Sequence, residues 1–133
     1  MADDEEIQKI NQAVSTAETF SHLYYKKLDQ ERHTIDKMYH ENANMAWNGN
    51  AVDGVANIQK FLLEQLPKSS TIIHSLDAQP VHDSAVSGQT TVLVAVAGSI
   101  KYGTKPVTNF QQNFLLTAKD SKWKVVTDTF RSQ

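Results

Sequence analysis

"QPVHDSAVSGQTTVLVAVAGSIKYG", Gln79 to Gly103, joins a polar cluster to the longest apolar run of the chain. From Gln89 the apolar residues alternate with period two, the repeat of a strand rather than a helix. Thr91, Leu93, Ala95 and Ala97 fall on one side, and Val92, Val94, Val96 and Ile100 on the other. A strand that is apolar on both sides belongs inside a sheet whose two faces are covered. The polar half reads as a turn. His82, Asp83 and Ser84 look like catalytic parts, but three consecutive residues cannot orient nucleophile, base and carboxylate towards one another. After Pro80 this composition sets a corner instead.

Working outward, period two also holds over Ile72 to Gln79, Val107 to Ala118 and Lys122 to Arg131. Turn residues separate the strands at Asp83-Ser84, Ser87-Gly88, Gly103 to Pro106 and Asp120-Ser121. Short connections of this kind predict an antiparallel meander. Upstream the period changes. Ile10, Val14, Ala17, Ser21, Tyr24 and Leu28 recur at helical spacing, widened by Ile7, Ala13 and Phe20, behind an Asp3/Glu6 capping box. Asp29 is placed to cap a second, shorter helix with Ile35, Met38 and Tyr39. Met45 and Trp47 suggest a short strand before the Asn48-Gly49 turn. Asp53 then caps a helix carrying Ile58, Phe61, Leu62 and Leu66, which Pro67 ends. Helices first and strands afterwards predict an α+β domain, one domain over residues 1–133, with about three helices on one face of a curved sheet.

The strands differ on their two faces. Phe110, Phe114 and Leu116 share one side of their strand, and Asn109, Gln111 and Asn113 the other. Strict alternation sets Val126 and Phe130 against Trp123, Val125, Thr127, Thr129 and Arg131. It also sets Ile72, His74 and Leu76 against Ile73, Ser75, Asp77 and Gln79. One face is apolar enough for the helices. The other mixes amides, hydroxyls and isolated charges, the texture of a solvated sheet face or of an interface. Trp123, Val125, Ile73 and Leu115 on that face favour the interface.

Composition excludes several function classes. With 133 residues, 40% hydrophobic and 21% charged, the chain is an ordinary globular domain. A formal net charge of −2 supplies no basic surface for strong direct nucleic-acid binding. The absence of cysteine removes disulfides, a thiol nucleophile and cysteine-ligated metals. The acidic start "MADDEEIQKI" lacks the apolar core of a signal peptide, and "VLVAVAG" is too short for a membrane helix, so an intracellular soluble protein with no membrane contact is expected. His22, His33, His40, His74 and His82 show no metal-ligand spacing, so His22 and His40 are expected at the surface and His74 in a strand beside a hydrogen-bond partner. Gly49, Gly54 and Gly98 fit no phosphate-binding pattern. No cofactor, metal or catalytic residue is expected. Tyr24 with a carboxylate from the sheet could polarise a carbonyl; the simpler reading is that Tyr24 completes the helix stripe.

Five segments in order, "AWNGNAVDG", "LDAQPVHD", "QTTVLVAVAGSIKY", "NFQQNFLLTA" and "WKVVTDTFR", resemble the nuclear transport factor 2-related export proteins, from about Ile7 to Arg131. The resemblance implies a cone-shaped sheet wrapped by helices and a non-catalytic adaptor. That adaptor pairs sheet to sheet with a similar domain of a large mRNA export receptor. The pair shuttles between nucleus and cytoplasm, meeting phenylalanine-glycine repeat nucleoporins in the pore. It further implies that Asp77 and Arg131 make charged contacts across the interface, with Gln79, Pro80, Asn109, Gln111, Asn113, Trp123 and Thr129 around them. Two relatives of the same fold compete. A homodimeric carrier of Ran-GDP uses an acidic loop where this chain has Lys101-Tyr102-Gly103-Thr104-Lys105. Ketosteroid-isomerase-like enzymes and dehydratases use the cone as a pocket and place a carboxylate base where this chain has Trp47-Asn48. An amide cannot serve as that base, which leaves Tyr24 without a carboxylate partner.

Overall fold

The computed structural model describes residues 4–81, 91–119 and 122–133. The helical period at the start becomes α1 (Asp4–Gln30), with Ala13, Ala17, Phe20, Ser21, Tyr24, Tyr25 and Leu28 buried. The stripe expected from Ile7 is buried only from Ala13, since Ile7, Ile10 and Val14 remain 40–45% exposed. Periodicity marks the apolar side of a helix and not where the surface beneath it begins. Asp3 of the expected capping box lies outside the described residues.

A 3₁₀ segment (Arg32–Met38), β1 (Tyr39–Trp47), β2 (Asn50–Asp53) and α2 (Val55–Gln65) follow, then β3 (Ser69–Val81), β4 (Thr91–Tyr102), β5 (Thr108–Lys119) and β6 (Lys122–Ser132). Two expected helix caps are not caps. Asp29 lies inside α1, and its carboxylate accepts hydrogen bonds from the Ser69 hydroxyl (2.6 Å), the Thr71 hydroxyl (3.0 Å) and the Thr71 N–H (2.9 Å), pinning the start of β3. α2 starts after Gly54 at φ 85° without a side-chain cap, and only the carbonyl of Asp53 is engaged, by Asn57. Tyr39, expected at a helix end, opens β1. Arg32 ties the helices together: its guanidinium donates to the carbonyls of Leu28, Leu62, Leu66 and Pro67 at 2.6–3.1 Å, satisfying the orphan acceptors at two helix ends.

The six strands form one sheet in the order β2-β1-β6-β5-β4-β3. β3 to β6 make the antiparallel meander that the turns predict. The sheet is not antiparallel throughout, because β1 pairs parallel with β6. A parallel neighbour needs a long crossover, here most of the chain, which no local turn signal announces. The Asn48-Gly49 hairpin has φ of 50° and 85°, both positive as a two-residue turn of type I′ requires.

Two bulges reverse the side-chain alternation along their strands. In β3, Ile73 pairs with Gly98 and Ser75 with Ala97, so His74 is the extra residue. In β6, Leu115 pairs with Thr127 and Leu116 with Val125, which leaves Val126 extra. Ile73 therefore points to the helix side, and Ile72 and His74 point to the open face. Val125 is fully buried on the helix side rather than on the open face. These bulges, with a register shift in β1, account for the curvature of the sheet. Its concave side packs Val92, Val94, Val96, Ile100, Phe110, Phe114, Leu116 and Phe130 against α1 and α2. Trp47 stacks on Phe130 with centroids 3.8 Å apart.

Gly98 admits the first bulge: a Cβ there would collide with the Ile72 carbonyl and meet the Phe110 ring at 3.0 Å. Gly98→Ala is expected to lower stability by about 1–3 kcal/mol, the usual range for forcing extra atoms into a packed site. Urea denaturation should show a lower midpoint at unchanged slope.

Candidate protein interface

Strand register lays the open face out in rows. One row crosses the sheet as Gln79, Leu93, Leu115 and Thr127. The next is Asp77, Ala95, Asn113 and Thr129, followed by Ser75, Ala97, Gln111 and Arg131, and then by Ile72, Ser99 and Asn109. Alanines occupy the centre, so a second sheet can approach closely. Amides and hydroxyls line one side, and Ile72 and Leu93 are exposed at 61% and 39%. Among the described residues no helix covers these rows. Asp77 on β3 and Arg131 on β6 lie three strands apart, about 14 Å at the usual strand spacing, too far to pair with each other. Among the described residues neither makes an ion pair. A face with its acid on the outer strand β3 and its base three strands away on β6 is suited to an opposing sheet that carries the complementary order.

Asp77, Gln79, Asn109, Gln111, Asn113, Thr129 and Arg131 share this face, as strict alternation predicts. Two candidates do not. Pro80 pairs with Val92 and so keeps the phase of Leu76 and Ala78, which pack on the core; the outer strand β3 tolerates its missing N–H. Trp123, opposite Ala118, lies beyond the Val126 bulge and packs on the helix side, in a recess with Phe20, Leu23 and Met38. Alternation is carried through a bulge with the wrong phase, and nothing in the local residue types marks Val126 as the inserted one. His82, Asp83 and Ser84 lie outside the described residues.

The cone interior holds a polar cluster that sequence reasoning missed. Asp128 of β6 is fully buried. Tyr39 donates to its Oδ2 at 2.6 Å, and Gln112 Nε2 donates to Oδ1 at 2.8 Å. Tyr25 donates to Gln112 Oε1 at 2.7 Å. With the Tyr39 proton directed at Asp128, the 2.7 Å Tyr24–Tyr39 contact has Tyr24 as donor. The expectation that Tyr24 has no carboxylate partner is therefore corrected: the partner comes from the last strand rather than the first. Two relays, Tyr24 through Tyr39 and Tyr25 through Gln112, converge on one carboxylate. Desolvation raises the Asp128 pKa to about 6, with the hydrogen bonds from Gln112, Tyr39 and Tyr24 opposing the rise. Burial and the nearby carboxylate hold Tyr24 and Tyr39 well above the usual phenol range, so they remain donors at neutral pH. Phe114 lies 4.8 Å from Tyr24 and Phe110 5.8 Å from Tyr25 between ring centroids, so aromatic rings fill the space beside the carboxylate.

A family model for the nuclear transport factor 2 (NTF2) domain matches residues 16–132. NTF2-related export protein 1 of Bos taurus is 41% identical over 128 residues, covering 93% of this chain and 91% of its own. The chain belongs to the nuclear transport factor 2 family. Within it, the chain is an NTF2-related export protein by sequence. Nuclear transport factor 2 from Cryptosporidium parvum superposes with a TM-score of 0.80 at 20% identity, covering 94% of this chain and 95% of that one. The Mtr2-Mex67 M domain complex of C. albicans contains a chain that matches with a TM-score of 0.73 at 13% identity, with coverages of 92% and 96%. The fold also occurs in a putative scytalone dehydratase from Novosphingobium aromaticivorans, TM-score 0.70 at 15% identity, with coverages of 95% and 88%.

Because the folded-state pKa of Asp128 lies above the ordinary value of 3.8, this group makes folding most favourable while protonated. Its contribution should fall by roughly 3 kcal/mol as pH rises from about 4 to about 6, since each pH unit between the two pKa values is worth about 1.36 kcal/mol. Asp128→Asn is expected to remove that descending limb, read from urea midpoints measured across the same range.

Proposed function

We propose that this chain is a non-catalytic adaptor, one domain over residues 1–133, that pairs through its open sheet face with the matching domain of an mRNA export receptor. The observation that carries the reading is the four-strand face that no described helix covers, with small residues at its centre and with Asp77 on β3 and Arg131 on β6 making no ion pair among the described residues. The relative from Bos taurus is an export protein, and the structural neighbour from C. albicans is a complex of two polypeptides. A shuttling adaptor in nucleus and cytoplasm, reaching phenylalanine-glycine nucleoporins as part of the pair, follows from the same reading. Catalysis is disfavoured because the Tyr24-Tyr39-Asp128 cluster is sealed beneath aromatic rings.

The second reading is an isologous homodimer, since a two-fold axis through the open face would set Asp77 of one copy against Arg131 of the other. A homodimer that carries Ran-GDP has less support, because Lys101 at the end of β4 and Lys105 in the β4–β5 turn stand there rather than acidic residues. Size-exclusion chromatography with light scattering is expected to give a 1:1 heterodimer with the receptor domain; a homodimer that refuses the receptor domain argues for the second reading. Asp77→Arg and Arg131→Asp should each weaken the pair about tenfold or more, in line with unpairing an interfacial charge, while circular dichroism stays unchanged.

A further inference from the structure

The bulge in β3 does more than bend the sheet. It turns His74 onto the open face, where its Nε2 lies 2.7 Å from the Ser99 hydroxyl, and that hydroxyl donates to Asn109 Oδ1 at 3.2 Å. With the Ser99 proton so engaged, Nε2 carries the N–H of the imidazole, and among the described residues Nδ1 has no hydrogen-bond partner. His74 lines a recess of about 480 Å³ with Ala97, Gly98, Asn109, Gln111 and Arg131. The recess is open because residues 97 and 98 have little or no side chain. Around it stand a guanidinium, an imidazole and the three amides of Asn109, Gln111 and Gln133, with no acidic side chain among the described lining residues. The end of β6 that carries Arg131 is held in place, because Asn48 accepts from the Ser132 N–H at 2.8 Å and donates to the Ser132 hydroxyl at 3.0 Å. Other charged side chains that register places on this face include Asp53, Asp77 and Lys101. Among the described residues none is ion-paired to His74.

We infer that His74 is a specificity-determining contact of the interface: the recess receives one carboxylate-bearing side chain of the partner domain, held between Arg131 and a His74 that takes up a proton on binding. The chemistry follows from the tautomer. Neutral His74 offers the partner only a lone pair at Nδ1, whereas the imidazolium offers an N–H. A carboxylate seated there draws the proton onto the ring, and imidazole is the side chain that can accept it near neutral pH. The inference rests on the heterodimer reading and deepens it, because it states what the partner must present at this end of the face.

The test is isothermal titration calorimetry of the full chain with the receptor domain at pH 6 and pH 8, each in two buffers of different ionisation enthalpy. Wild type is expected to bind about fivefold more tightly at pH 6, as suits one added charge-assisted hydrogen bond, with net proton uptake at pH 8. His74→Gln keeps an N–H for Ser99 but cannot be protonated. It should fold as wild type by circular dichroism, bind at pH 6 with the lower wild-type affinity of pH 8, and show less proton uptake. A His74→Gln variant with the full pH response, or with wild-type affinity at pH 6, overturns the role of His74 and leaves the heterodimer standing if Arg131→Asp still weakens it. No binding by wild type at either pH overturns both.

Discussion

A carboxylate taken out of water has to gather hydrogen bonds or keep its proton, and Asp128 does something of each. Its partners arrive from α1, β1 and β5, through the two relays that start at Tyr24 and Tyr25. None of these donors can be satisfied unless the helix lies at one depth over the sheet and β1 pairs with β6 in one register. The cluster is thus a condition on the whole cone: slipping α1 by a turn or β1 by a residue would leave a buried polar group orphaned. The apolar rings around it supply most of the burial, but packing alone tolerates many arrangements, whereas this set of bonds tolerates one.

The same cluster is closed off from solvent in this chain. Tyrosines and a carboxylate inside a cone are parts that acid–base chemistry could use, yet Phe20, Phe110 and Phe114 close over them. With the concave side sealed, the convex face is where the molecule is unfinished. Leu93 and Ile72 remain in water, Asp77 and Arg131 make no ion pair among the described residues, and alanines keep the centre flat. A sheet in this condition has the surface of one half of a sheet-on-sheet packing.

Bulges decide which residues belong to which half. His74 and Val126 are each one residue too many for their partner strands, and each shifts the phase of everything on one side of it. Phe110, Phe114, Leu116 and the amides of β5 are legible from alternation because β5 itself carries no insertion. Counting alternation across the insertions sends Trp123, Val125 and Ile73 to the open face, when all three belong to the helix side. Pro80 enters the candidate set through the resemblance; its register with Val92 turns it away from the face.

Local information settled what local forces control. The 3.6 and 2.0 periods, the Asn48-Gly49 turn and Pro67 at the end of α2 determined the helices, the strands and their succession, hence an α+β chain with a meander at its end. The five ordered segments were enough for the family. Tertiary structure alone decided the parallel β1–β6 pair, the reassignment of Asp29 from helix cap to clamp on β3, and the meeting of Tyr24, Tyr39, Gln112 and Asp128. These depend on contacts between residues up to 104 positions apart, and a hydrogen bond between distant segments leaves no periodic trace in either of them.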